Sequence, residues 1–150
     1  MTGDEIMETA AMGRVVTAAK IENLEDWLLC RSGHRKPDEI RSVEVSNALV
    51  DTGAVSLALP TSLIQQLGLT RIGERMSMTA NGPRMAQKYD AVRLTIMGRD
   101  CTIDVVEVPD PVPVLIGQVP LELLDFVVDP KNQRLIGNPE HGGEQIIEMY

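Results

Sequence analysis

Aromatic residues are scarce: Trp27, Tyr89, Phe126 and Tyr150 are the full set in 150 residues. So thin a supply excludes the stacked platforms that hold single-stranded nucleic acid. Cysteine is nearly absent as well. Cys30 and Cys101 are distant and form no C-x-x-C pair, so they are expected to be reduced, buried small residues of a cytoplasmic protein. His34 and His141 are equally isolated, and no Cys/His spacing builds a metal site, so neither metal nor cofactor is expected. Positive charge is also in deficit. Lys and Arg number 14 against 22 Asp and Glu, a net charge of −8, and the densest basic stretch, residues 31–41, is interrupted by Asp38 and Glu39. A polyanionic duplex is repelled by such a surface, so nucleic acid is not an expected partner. No apolar run approaches the roughly 18 residues of a membrane span. Residues 1–12 carry Asp4, Glu5 and Glu8 in place of the basic and apolar regions of a signal peptide, so no membrane partner is expected either. Phosphate-cradling loops of the GxxxxGK[ST] or GxGxxG form are missing, as are a G-x-S-x-G element and a Cys/His pair.

What remains is an ordinary globular composition, 43% hydrophobic and 24% charged, long enough for one domain with its own core. Residues 1–13 are acidic and aperiodic and read as a flexible tail; residues 14–150 read as the domain. Val15, Thr17, Ala19 and Ile21 alternate with Val16, Ala18 and Lys20, a period of two that suggests a strand. Asn23 is a good N-cap for a short helix over residues 24–32, with Leu24, Trp27 and Leu28 on its inward face, Trp27 as a core anchor and Gly33 at its end. Residues 43–50 form a strand that turns continuously apolar at Ala48-Leu49-Val50, as a strand entering a buried centre does. After Asp51-Thr52-Gly53 and a second apolar run, Pro60 opens a helix with Leu63, Ile64 and Leu67 inward and Gly68 as its stop.

The middle of the chain reads as hairpins. Met76 and Met78 alternate toward the turn Ala80-Asn81-Gly82-Pro83, which returns the chain along residues 87–89. Val92, Leu94 and Ile96 pair with Cys101, Ile103 and Val105 across a turn at Gly98-Arg99-Asp100. Then come the apolar run Val114-Leu115-Ile116, closed by Gly117, a short helix over residues 120–125, a hairpin over residues 126–136, and a last strand from Ile146, Ile147 and Met149. The expectation is an all-β fold with two or three short helices, its many short strands closed or sandwiched so that few edges are exposed.

Asp51-Thr52-Gly53 is the candidate reaction centre. Taken alone, the triplet equally suits an ordinary turn in which Asp51 accepts local backbone hydrogen bonds. Its context is more specific: Ala48-Leu49-Val50-Asp51-Thr52-Gly53-Ala54 is an apolar strand, the triplet and a small residue, and Leu115-Ile116-Gly117 follows downstream before a helix, with a Gly-containing hairpin between. This order, over residues 43–136, resembles the retropepsin-like aspartic proteases, single-lobe relatives of pepsin. The resemblance implies a closed β-barrel and an aspartic endopeptidase that hydrolyses peptide bonds in peptide or protein substrates. Two carboxyl groups about 3 Å apart cannot both ionise, so they share a proton and act as base and acid on one water and one carbonyl. Asp51 is one such carboxyl. Only one triplet exists, so the pair requires two chains on a two-fold axis, a homodimer. Gly53 lets its N–H reach the carboxylate. The resemblance gives Thr52 a hydroxyl contact to the opposing loop and Ala54 a small floor under the substrate. It makes Met78, Ala80, Asn81 and Gly82 a substrate-covering flap and Leu115, Ile116 and Gly117 the cleft wall. Cleavage between apolar side chains is the expected preference. The alternative is a non-catalytic dimeric binding or assembly module of the same fold, in which Asp51 only orders the interface.

Overall fold

The computed structural model describes residues 14–79 and 81–145. The acidic tail, Ala80 and the strand expected from Ile146, Ile147 and Met149 lie outside the described residues. Nine strands and three α-helices are described: β1 Val15–Asn23, α1 Leu24–Arg31, β2 Ser42–Val50, β3 Leu57–Pro60, α2 Thr61–Leu67, β4 Arg71–Thr79, β5 Gly82–Ile96, β6 Arg99–Val108, β7 Leu115–Ile116, α3 Gln118–Leu124, β8 Phe126–Asp129 and β9 Arg134–Gly137. Two 3-10 turns, Pro37–Glu39 and Pro139–His141, complete them. The fold is mostly β, as an aspartic protease fold is. Among the described residues no helix is long and apolar enough to cross a membrane.

Seven strands form one mixed sheet in the order β1-β2-β7-β3-β6-β5-β4, and β8 and β9 pair separately. β1 is hydrogen-bonded on both sides, to β2 along most of its length and to β5 through Lys20–Thr95, Ile21–Leu94, Glu22–Arg93 and Asn23–Val92. Alternation supplies the core. Ile21, Val92, Leu94, Ile96, Leu57, Leu59 and Ile116 are sealed from solvent on the inner face, joined by Ile64 and Leu67 of α2 and Leu121 and Leu124 of α3. Pro60 does open α2 and Gly68 ends it, left-handed at φ 64°. The β5–β6 hairpin turns at Met97 and Gly98, both at positive φ, one residue earlier than the turn expected at Gly98-Arg99-Asp100. Two consecutive left-handed residues match the twist of the flanking strands, which lets Arg99 join β6 at once.

α1 differs from its sequence expectation. Leu24 and Trp27 are half-buried and Leu28 is exposed, whereas Asp26 is the buried residue, only 1% accessible. Its carboxylate accepts from Arg35 Nη1 at 2.5 Å, from the Arg41 backbone N–H at 3.0 Å and from Arg41 Nε and Nη2 at 2.8 and 3.1 Å. Those bonds from Arg41 hold the carboxyl below its ordinary range, against the opposing pull of burial. Trp27 is no core anchor: half-buried, its ring packs against the guanidinium groups of Arg31 and Arg93, 5.0 and 4.7 Å from its centroid. Asn23 caps α1 as expected, accepting from the Asp26 N–H at 3.0 Å, and its Nδ2 also donates to the Leu67 carbonyl at the end of α2. Cys30 and Cys101 are free and only half-buried. Burial, and then the charge of Asp100, push the Cys101 thiol up to about 11.

Candidate active site

The site grows from the end of β2. Leu49 and Val50 pair in parallel with Leu115 and Ile116. The Leu49 N–H donates to the Val114 carbonyl at 2.8 Å and the Asp51 N–H to the Ile116 carbonyl at 2.9 Å. Asp51 is therefore the first residue past a strand whose backbone is held up to its last amide. The chain then turns, with the Ala54 N–H donating to the Asp51 carbonyl at 3.0 Å. Within that turn the Gly53 N–H donates to Asp51 Oδ1 at 3.0 Å, a charge-assisted bond that orients the carboxylate. A Cβ on Gly53 would sit 3.2 Å from that same oxygen, so a side chain there presses on the group the turn positions.

The far side of the loop is fixed by α3. A helix leaves its first amides without partners inside the helix. Here the N–H groups of Gln118 and Val119 donate to the carbonyls of Ala54 and Val55 at 2.8 and 2.9 Å, and the Gly117 N–H donates to the Ser56 carbonyl at 3.0 Å. The loop after Asp51 thus supplies the acceptors that the start of α3 lacks. This approach demands glycine at 117: a Cβ there would lie 2.5 Å from the Ser56 oxygen and 2.7 Å from the Ala54 oxygen. Backbone bonds therefore hold the loop on both flanks while its tip faces outward. Thr52 and Gly53 are exposed, Asp51 and Ala54 half-buried, and Val55 is 52% accessible. Thr52 has no side-chain partner among the described residues.

The residues expected to form the cleft wall divide. Leu115 is half-buried beside the loop, Gly117 is buried against it, and Ile116 is sealed in the core behind it. Ile116 alternates inward from Leu115, so its side chain packs in the core behind the loop and does not reach the loop's exposed side. In the β4–β5 hairpin Thr79 pairs across the turn with Gly82, and the Gly82 φ of 104° suits glycine. Its link to the loop is one the sequence reading missed: Arg75 Nη1 donates to Ser56 Oγ at 2.8 Å. Met78, expected among the substrate-covering residues, is 77% exposed and points to the face opposite Arg75, since the two are an odd number of residues apart in one strand. The strand alternation carried the signal that could have separated them, but not which face was inward.

Two surface cavities lie elsewhere, one where β1 and β2 meet the end of β5 and one beside α1, and neither touches Asp51. Among the described residues no group of three His, Cys, Asp or Glu side chains is placed to hold a metal ion. A family model described as aspartyl protease matches residues 39–119, more than half of the chain. The chain belongs to the retropepsin-like aspartyl proteases. Comparison with curated proteins gives no match. The part of the chain that carries the family pattern runs from the first 3-10 turn through the Asp51 loop and the β4–β5 hairpin to the second residue of α3. β1, α1 and the β8–β9 pair lie outside it.

Proposed function

We propose that the protein is an aspartic endopeptidase active as a homodimer, with Asp51 of each copy forming the catalytic pair. One observation carries the reading: the single Asp-Thr-Gly loop is rigidly held by backbone bonds yet turns its tip outward, as half of a site does. The free Thr52 hydroxyl and the exposed Val55 at that tip suit an isologous contact. The double pairing of β1 supports reading the sheet as a closed barrel behind the site.

In the dimer the two carboxyls share one proton and titrate as a pair. The ionised member takes a proton from water as the water oxygen bonds to the peptide carbonyl carbon. The protonated member gives its proton to the carbonyl oxygen, and a neutral gem-diol forms. Collapse transfers a proton to the amide nitrogen, the C–N bond breaks, and a carboxylic acid and an amine leave. Substrate lies extended between the loop and the β4–β5 hairpin, adding a strand by backbone bonds. A shared proton places the optimum at roughly pH 5 to 6.5.

The test is the Asp51→Asn protein beside wild type on a peptide library read by mass spectrometry. The expected result is cleavage by wild type, a dimer in solution, and loss of cleavage by at least about a thousandfold in the variant, the scale of losing a catalytic group. Equal behaviour of the two proteins overturns the enzymatic reading and leaves a non-catalytic dimeric module. A rate that still climbs above pH 8 overturns the shared-proton mechanism.

A further inference from the structure

We propose that Arg75 and Arg84 make the inward face of the β4–β5 hairpin a reader of carboxylate side chains, so that the substrate is an acidic peptide. The inference rests on the peptidase reading above and names its substrate class.

The register decides which residues share a face. Arg75 stands opposite Ala86, and Arg84 is two residues from Ala86 along β5, so Arg75 and Arg84 lie on one face as diagonal neighbours. That face is the inward one, because Arg75 reaches Ser56 at the end of the Asp51 loop. The other face carries the paired Met76 and Met85 together with Met78, all exposed. The apolar side of the hairpin therefore looks away from the loop and the cationic side looks over it.

The other cations of the hairpin already have carboxylate partners. Arg71 is paired with Glu74 and Lys88 with Asp104. Among the described residues Arg75 and Arg84 have no carboxylate partner, in a chain whose acidic residues outnumber its basic ones by 22 to 14. Two like charges on neighbouring positions of one sheet face repel unless an anion lies between them. A guanidinium offers five donors in a planar fork that fits a carboxylate, and the Ser56 bond occupies one of those of Arg75. An extended peptide lying between hairpin and loop turns every second side chain toward the hairpin. Glutamate or aspartate at such a position meets both forks and is ionised at pH 5 to 6.5, above the ordinary range near 4 of these acids. The expectation of cleavage between apolar side chains then applies to the residues at the scissile bond, and the acidic residue flanks them.

The test uses the full chain and paired peptides that differ only by Glu against Gln at one position, taken from library sequences that are cleaved or, if none is cleaved, from those that bind. Wild type is expected to prefer Glu by about tenfold in kcat/KM, the scale of a charge-assisted hydrogen bond, with the preference shrinking as salt rises. Arg84→Gln should bring the Glu-to-Gln ratio near one, and Arg84→Glu should turn it toward Lys at that position. The Asp51→Asn protein, read by fluorescence anisotropy of the labelled pair, should retain the binding preference for Glu without cleaving. Equal handling of Glu and Gln peptides by wild type, or an unchanged ratio in Arg84→Gln, overturns the acidic reading and leaves the peptidase intact. Preferential binding of Glu peptides that wild type never cleaves overturns the peptidase and spares the acidic reader.

Discussion

The Asp51 loop and the segment from Asn23 to Arg41 are both irregular, and they are held by opposite means. Around Asp51 six backbone bonds from β7, the turn itself and the start of α3 fix the chain, and one glycine makes the approach possible. Around α1 the same work falls to side chains: a buried carboxylate gathers two arginines from the following loop, and Asn23 ties the helix to the end of α2. The difference shows what each can tolerate. Backbone bonds leave the loop's side chains free for chemistry, so Thr52 and Val55 face outward. A side-chain cluster consumes its residues, and Asp26, Arg35 and Arg41 are all spent on one another.

Substitutions can break that contrast. Arg41→Ala removes a guanidinium from a carboxylate that is almost wholly buried and leaves it Arg35 and the backbone N–H of residue 41, so chemical denaturation should show a loss of about 3 kcal/mol. Hydrolysis per folded molecule should be preserved, because nothing near Asp51 depends on the cluster. Gly117→Ala inverts the pattern. Pushing a Cβ into the Ser56 and Ala54 carbonyls should lower stability by about 2 kcal/mol, yet cut kcat/KM by roughly a hundredfold through displacement of the loop. If Arg41→Ala proved the more damaging to turnover, the two regions would be coupled and the comparison would fail. Asn23→Ala should remove about 1 kcal/mol, the worth of a helix cap, measured by thermal melting.

Acid gives the smallest and sharpest effect. The Asp26 carboxyl is held below its unfolded value by Arg41 and Arg35. As pH falls, the unfolded state binds the proton first, so the contribution is fully present above roughly pH 4 and is lost as pH drops through the lower folded value. Asp26→Asn should therefore flatten the acid limb of the stability curve below about pH 4 relative to wild type, while the pH profile of hydrolysis, assigned under the proposed function to an Asp51 pair, stays where it was. A shifted hydrolysis profile in that variant would show that the cluster reaches the site.

How much of this was legible in the chain follows from the range of the forces. The strand ending at Asp51, the cap at Asn23, the stop at Gly68 and the β5–β6 hairpin are written in runs of a few residues, because alternation, capping and turn conformation act locally. The Gly53 bond to its own carboxylate is local in the same sense, and was foreseen. The burial of Asp26 was not legible: its partners lie 9 and 15 residues away, and an acid on a helix of mixed polarity reads as solvated until they arrive. Nor was the inward placement of Ile116, which the shared pattern groups with Leu115 although the pleat separates them.

By itself, then, the sequence determined a mostly β chain with one Asp-Thr-Gly at the end of an apolar strand and glycine where two backbones must touch, since those are properties of neighbouring residues. Only the tertiary structure decided that loop carbonyls would cap α3, that a carboxylate would anchor α1, and that arginine rather than methionine would overlook the loop. Alternation along a strand yields two faces of equal standing, and a contact from across the fold, Arg75 to Ser56, was needed to say which of them is inside.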